Sequence, residues 1–150
     1  MMEKEWRGMI RVSHDFFHRW RRTVLESVGE EKAREMELRF WELVGEGTAE
    51  AYRRLNPASL GTIVDLMARS SAIMGEEVTT RTDGTECFLV HTGCPWPESY
   101  RASGVGGSCR PGCDHWFATT VANLDPRYGV ETLSSLADGD NTCTRRFYPR

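Results

Sequence analysis

The apolar residues of this chain change their spacing at Gly75, from every third or fourth position to strand-like alternation, and that switch limits the folds open to it. From Trp6 to Val28 a stripe recurs at Trp6, Ile10, Phe17, Trp20, Val24 and Val28, with Ser13 interrupting it, on one side of a 3.6-residue helix. Gly29 ends that helix. A second is predicted from about Glu30 to Leu55, with Ala33, Met36, Phe40, Leu43, Ala51 and Leu55 facing one way and Gly45 and Gly47 as breaks or kinks. Asn56-Pro57 reads as N-cap and first turn of a third helix carrying Leu60, Ile63, Val64, Met67 and Met74, stopped by Gly75.

Beyond Gly75, "EVTTRTDGTECFLVHT" is two strand-like runs around Asp83-Gly84, residues that tolerate the positive φ of a tight hairpin. A loop-rich stretch with a short helix over 97–103 follows. "GCDHWFATTVANLDP" is expected to be a helix of about ten residues, ending at Asp125-Pro126, and a second strand pair is expected around Asp138-Gly139. The fold class is therefore α+β: a helical N-terminal half of about three helices, packed on a small, mostly antiparallel sheet with one inserted helix. One domain over 1–150 is expected, 1–75 its helical half and 76–150 its sheet with the cysteine-bearing loop and helix; 150 residues suffice for one core.

Charge narrows the classes of partner. The net charge is −3, and Arg19, Arg21 and Arg22 form the one short basic run, on what reads as a solvated helix face, so nucleic acid is not an expected partner. No segment approaches the ~20 apolar residues of a membrane span. The N-terminus carries charges where a signal peptide has its apolar core, so a cytoplasmic location with reduced thiols is expected. Most of Trp6, Trp20 and Trp41 are expected in the core, with part of that surface free to form a homo-oligomer face.

Chemistry concentrates in "HTGCPWPESYRASGVGGSCRPGCDHWF", residues 91–117, where Cys94, Cys109 and Cys113 fall within twenty positions. Cys143 completes a set of four, whereas Cys87, beside Phe88-Leu89-Val90, reads as a core residue. Three readings stay open. Cys94, Cys109, Cys113 and Cys143 are candidate ligands of zinc or an iron–sulfur cluster, with Cys109 and Cys113 on a tight Pro/Gly loop. Alternatively Cys113, at the start of a helix near Asp114, is a nucleophile whose pKa the helix N-terminus lowers, with Asp114 and His115 as acid/base groups. In the third, the cysteines are simply small buried apolar residues.

The remaining candidates bind substrate. His14 and His18, at i and i+4 on the first helix, share a flank where they serve as ligands or proton carriers, or as plain polar residues. His91, three residues before Cys94, is the histidine best placed to share the cysteine site. Arg110 between Cys109 and Cys113 suits a substrate carboxylate, or is a solvated loop residue.

These motifs add up to a resemblance. Cys94-Pro95, the Cys109-x3-Cys113-Asp114 run, Pro126 after the following helix and Gly139-Asp140-x-x-Cys143 resemble the C-terminal half of the L-2-amino-thiazoline-4-carboxylate hydrolase-like family, over residues of about 94–148. Gly29-Glu30-x-x-Ala33 in the helical half is similar to an uncharacterised bacterial branch of it. The resemblance implies a hydrolase that opens or cleaves a C–N or C–S bond in a small heterocycle, a thiazoline ring yielding N-carbamoyl-cysteine. Water or a thiolate would add to the amidine-like carbon, His115 or Asp114 would protonate the leaving group, and Arg110 would hold a carboxylate. The alternative is a cysteine-ligated metal or cluster domain that senses or carries a small ligand. One stretch departs from the pattern: Thr144-Arg145-Arg146 stands where the family tends to an alternating aromatic strand.

Overall fold

The computed structural model describes residues 2–150, and it shows the expected α+β architecture. Helices α1 (Met2–Val28), α2 (Glu30–Arg53) and α3 (Leu60–Ile73) precede a hairpin of β1 (Glu77–Asp83) and β2 (Glu86–Gly93). The short α4 (Trp96–Ala102) and the long α5 (Cys109–Leu124) follow, and then β3 (Tyr128–Ser134) and β4 (Cys143–Pro149). The sheet order is β1-β2-β4-β3, antiparallel throughout. The inward faces of its two central strands hold Cys87, Leu89 and His91 beside Phe147, Arg145 and Cys143. Residues of α2, α3 and α5, among them Tyr52, Val64, Met67, Phe117 and Val121, close the core against that face.

Four sequence expectations change. The glycines do not break α2. A Cβ on Gly45 would lie 2.9 Å from Thr119 Cβ and 3.0 Å from the Trp116 carbonyl, so glycine is what lets α5 cross α2 at close range. The buried face of α2 is therefore Glu37, Gly45, Ala49 and Tyr52, while Leu43 and Leu55 of the expected stripe stay exposed. Asn56 is not the cap of α3. It takes positive φ (49°) beyond the end of α2, and Ser59 caps α3 by accepting from the Thr62 N–H at 3.3 Å. Finally, α5 begins at Cys109, so Cys109 and Cys113 lie one helical turn apart rather than on a loop; Pro111 is tolerated in the first turn, where its missing N–H has no partner to lose.

The end of α3 sets up the site. Gly75, at φ 81°, lets its own N–H bond to the Ala72 carbonyl and the Glu76 N–H to the Ser71 carbonyl, both at 3.1 Å. This double closure folds Glu76 back over the last turn, beside Ser71. No helix among the described residues is long and apolar enough to cross a membrane.

Candidate functional site

A cavity of about 370 Å³ lies between the inner face of β2 and β4, the ends of α3 and α4, and the facing sides of α2 and α5. Its wall is mostly apolar, with Trp41, Trp96, Tyr100, Trp116 and Phe117, and a few polar groups enter it. That composition is the usual one for a small-molecule site.

His91 points inward from β2 and is 3 % exposed. Its Nε2 lies 2.9 Å from Glu76 Oε2 and 3.1 Å from Ser71 Oγ. Both contacts engage Nε2 and leave Nδ1 as the ring nitrogen that neither group reaches. Nδ1 has no hydrogen-bond partner among the described residues.

Arg145 enters from β4 and is 2 % exposed. Its Nη2 donates to Cys113 Sγ at 3.0 Å and lies 3.8 Å from Asp114 Oδ1, and its guanidinium covers the Phe117 ring at 4.3 Å. Its Nε has no partner among the described residues. Guanidinium stays charged under all ordinary conditions, so this is a buried cation only partly compensated, a standing invitation to an anion. The Trp41 indole, also on the cavity wall, turns its Nε1 toward Gly112 of α5 and the Tyr100 hydroxyl.

The four cysteines border this cavity without forming a ligand set. No group of three or more His, Cys, Asp or Glu side chains among the described residues is placed to hold a metal ion, which overturns the zinc and iron–sulfur expectation for Cys94, Cys109, Cys113 and Cys143. Their surroundings explain the dispersal. Cys109 packs with Phe17 and Tyr100, Cys113 takes the Arg145 hydrogen bond, and Cys143 Sγ accepts from the Leu136 N–H at 3.1 Å. All five cysteines are free thiols. Burial pushes the Cys113 thiol up to about 11, against the pull of Arg145, and the Cys109 thiol up to about 12; it raises Cys94 further still. At Cys113 desolvation, which raises the pKa, therefore opposes both the helix N-terminus and Arg145, which lower it.

Successive residues on a helix diverge by ~100°, and this separates the triplet on α5. Cys113 faces the cavity. Asp114 turns to β3, accepting from Thr132 Oγ1 at 2.6 Å, and backs Arg145. His115 turns to α2, where its Nδ1 meets Glu42 Oε1 at 3.4 Å on the surface. Arg110 stands at the cavity rim with its guanidinium held by Asp138 and Asp114. His14 and His18 lie behind α4: His14 stacks on Trp96 with ring centroids 3.7 Å apart, and His18 Nε2 bonds Ser99 Oγ at 2.9 Å.

Glu76, Ser71, Trp41 and Arg145 escaped the sequence reading. A signal existed for two of them. Cys143-x-Arg145-x-Phe147 puts a charge in the inward register of a core strand, and Glu76 immediately follows the glycine that stops α3.

A family model described as L-2-amino-thiazoline-4-carboxylic acid hydrolase matches residues 9–147. No curated protein matches the chain. Among solved structures, the phenol-responsive sensory domain of the transcription activator PoxR, with phenol, superposes with a TM-score of 0.65 at 16 % identity, over 91 % of this chain and 74 % of that one. A trafficking protein particle complex subunit 3 from Naegleria fowleri, covalently bound to palmitic acid, superposes with a TM-score of 0.62 at 9 % identity, over 93 % of this chain and 96 % of that one. At such identities the likeness is one of fold.

Proposed function

The chain belongs to the L-2-amino-thiazoline-4-carboxylic acid hydrolase family, and from that membership we propose that it hydrolyses a C–S or C–N bond in a small heterocyclic carboxylate. The observation that carries this reading is one cavity holding both a buried His91–Glu76 pair and the incompletely paired Arg145. Arg145, rather than Arg110, holds the substrate carboxylate, because the Arg110 guanidinium is already occupied by two aspartates. The aromatic wall excludes bulk water and holds the ring flat.

The chemistry needs no thiolate. The His91–Glu76 pair takes a proton from a water whose oxygen adds to the amidine-like carbon, and that proton passes to the ring nitrogen. The carbon–sulfur bond then breaks, and the remaining hydroxyl proton ends on the leaving sulfur as the carbonyl forms. Cys113 acts as a neutral thiol that positions Arg145, with Asp114 bracing it from behind.

The test is turnover of 2-amino-thiazoline-4-carboxylate, read as new thiol and as N-carbamoyl-cysteine by mass. Glu76→Gln is expected to lower kcat by about 10²–10⁴-fold. Arg145→Gln acts mainly on KM, raising it roughly 10–100-fold. Wild-type kcat in Glu76→Gln would sink the assignment of the base.

A second reading is favoured by the aromatic wall: ligand binding without turnover, as the phenol in the PoxR domain and the palmitic acid on the Naegleria subunit suggest for this fold. Saturable binding of the thiazoline with no product formed would select it.

A further inference from the structure

Helix α1 has two apolar faces, and the rest of the chain covers one of them. Ile10, His14 and Phe17 are buried, Ile10 packing under Gly75, and the Trp6 indole N–H donates to the Ile73 carbonyl at 2.8 Å. About 130° around the helix lies a second row: Met2, Glu5, Met9, Val12, Phe16, Arg19 and Thr23. Its spacing alternates three and four residues, the heptad period of a helix–helix seam rather than the looser pattern of a solvated face. Met9 is 66 % and Phe16 69 % exposed. Single exposed apolar residues are ordinary, but Met2, Met9, Val12 and Phe16 stand in this one register and form an apolar strip over the first half of α1.

Charge along the row selects the occupant. Glu5 stands near its N-terminal end and Arg19, which also pairs with exposed Asp15 of its own helix at 2.7 Å, near its C-terminal end, at equal distances in sequence from Val12. A two-fold axis at Val12, with the helices antiparallel, sets Glu5 of each copy beside Arg19 of the other, Met9 against Phe16, and Met2 against Thr23. A parallel pair would instead oppose like charges at both ends. We propose that a second copy of this chain docks on α1 through this antiparallel heptad seam, giving a two-fold dimer with the cavity left free, since none of the seam residues lines it.

Sedimentation equilibrium of the full chain tests this. Wild type is expected at twice the monomer mass, and Met9→Glu with Phe16→Glu is expected to be monomeric with unchanged helical circular dichroism. The charge swap reads the orientation without touching the apolar row. Glu5→Arg and Arg19→Glu are each expected to weaken association about tenfold, and the double variant to recover most of it. The proposal is overturned if wild type is monomeric at about 100 µM, if the Met9/Phe16 variant still dimerises, or if the double charge swap associates more weakly than both singles.

Discussion

His14 is a buried imidazole stacked on Trp96, and its Nε2 has no hydrogen-bond partner among the described residues. Burial, with the neighbouring His18 adding to it and Glu76 opposing, lowers its pKa to about 4. Between pH 6.5 and 4 the unfolded chain therefore binds a proton there that the fold does not. The stability this neutral ring contributes is complete above the unfolded value and is lost as pH falls through the window, by about 3 kcal/mol at most. His14→Phe keeps the stack on Trp96 and is expected to flatten the pH dependence of Tm from pH 6.5 to 4. Urea unfolding of both proteins across that range measures the difference; equal slopes would contradict the assignment. Residue identity had marked His14 as a ligand or proton carrier, and it could not indicate burial behind α4, which follows from where Trp96 falls in space.

At the scale of elements, the crossing of α2 and α5 is the contact that sequence periodicity misjudged. The expected stripe took its phase from Met36, Leu43 and Leu55, whereas this crossing is made by Gly45 and Ala49, on the opposite side of the helix from Met36 and Leu43. Gly45→Ala and Gly47→Ala separate the two effects. Both substitutions gain up to ~1 kcal/mol of helix propensity. At Gly47 a Cβ meets nothing within 4 Å, so Gly47→Ala is expected to raise Tm. At Gly45 the Cβ meets the Trp116 carbonyl at 3.0 Å, backbone that cannot rotate away, and overpacking of ~1–3 kcal/mol outweighs the gain. Thermal unfolding of the two variants should move Tm in opposite directions. The termini of α3 show the same division: Gly75 as a stop was legible from its type, but Ser59 rather than Asn56 as the cap depended on how the chain leaves α2.

For the whole molecule, two residues of the cavity wall carry buried polar atoms without a partner among the described residues, Arg145 Nε and His91 Nδ1. A ligand that satisfies them binds the folded chain alone and stabilises it by mass action, ~2.7 kcal/mol at a hundredfold excess over its dissociation constant. 2-Amino-thiazoline-4-carboxylate is accordingly expected to raise Tm by several degrees. Removing the cation in Arg145→Gln should abolish most of that shift, while the rim variant Arg110→Gln should retain it. A differential scanning measurement of all three distinguishes an anion site at Arg145 from one at Arg110.

By itself the sequence determined the α+β class, the hairpin at Asp83-Gly84, the stop at Gly75 and the family resemblance, because turn chemistry and apolar period are local properties. It also singled out His91. The tertiary structure alone decided that Glu76 meets His91, that Arg145 enters the cavity beside Cys113 while Arg110 lines the same space paired with two aspartates, and that four cysteines bordering one space do not form a ligand set. Each of those depends on which helix face turns inward and on how deeply a group is buried. Burial sets both the direction of a pKa shift and the cost of an unpaired charge, and no spacing along the chain encodes it.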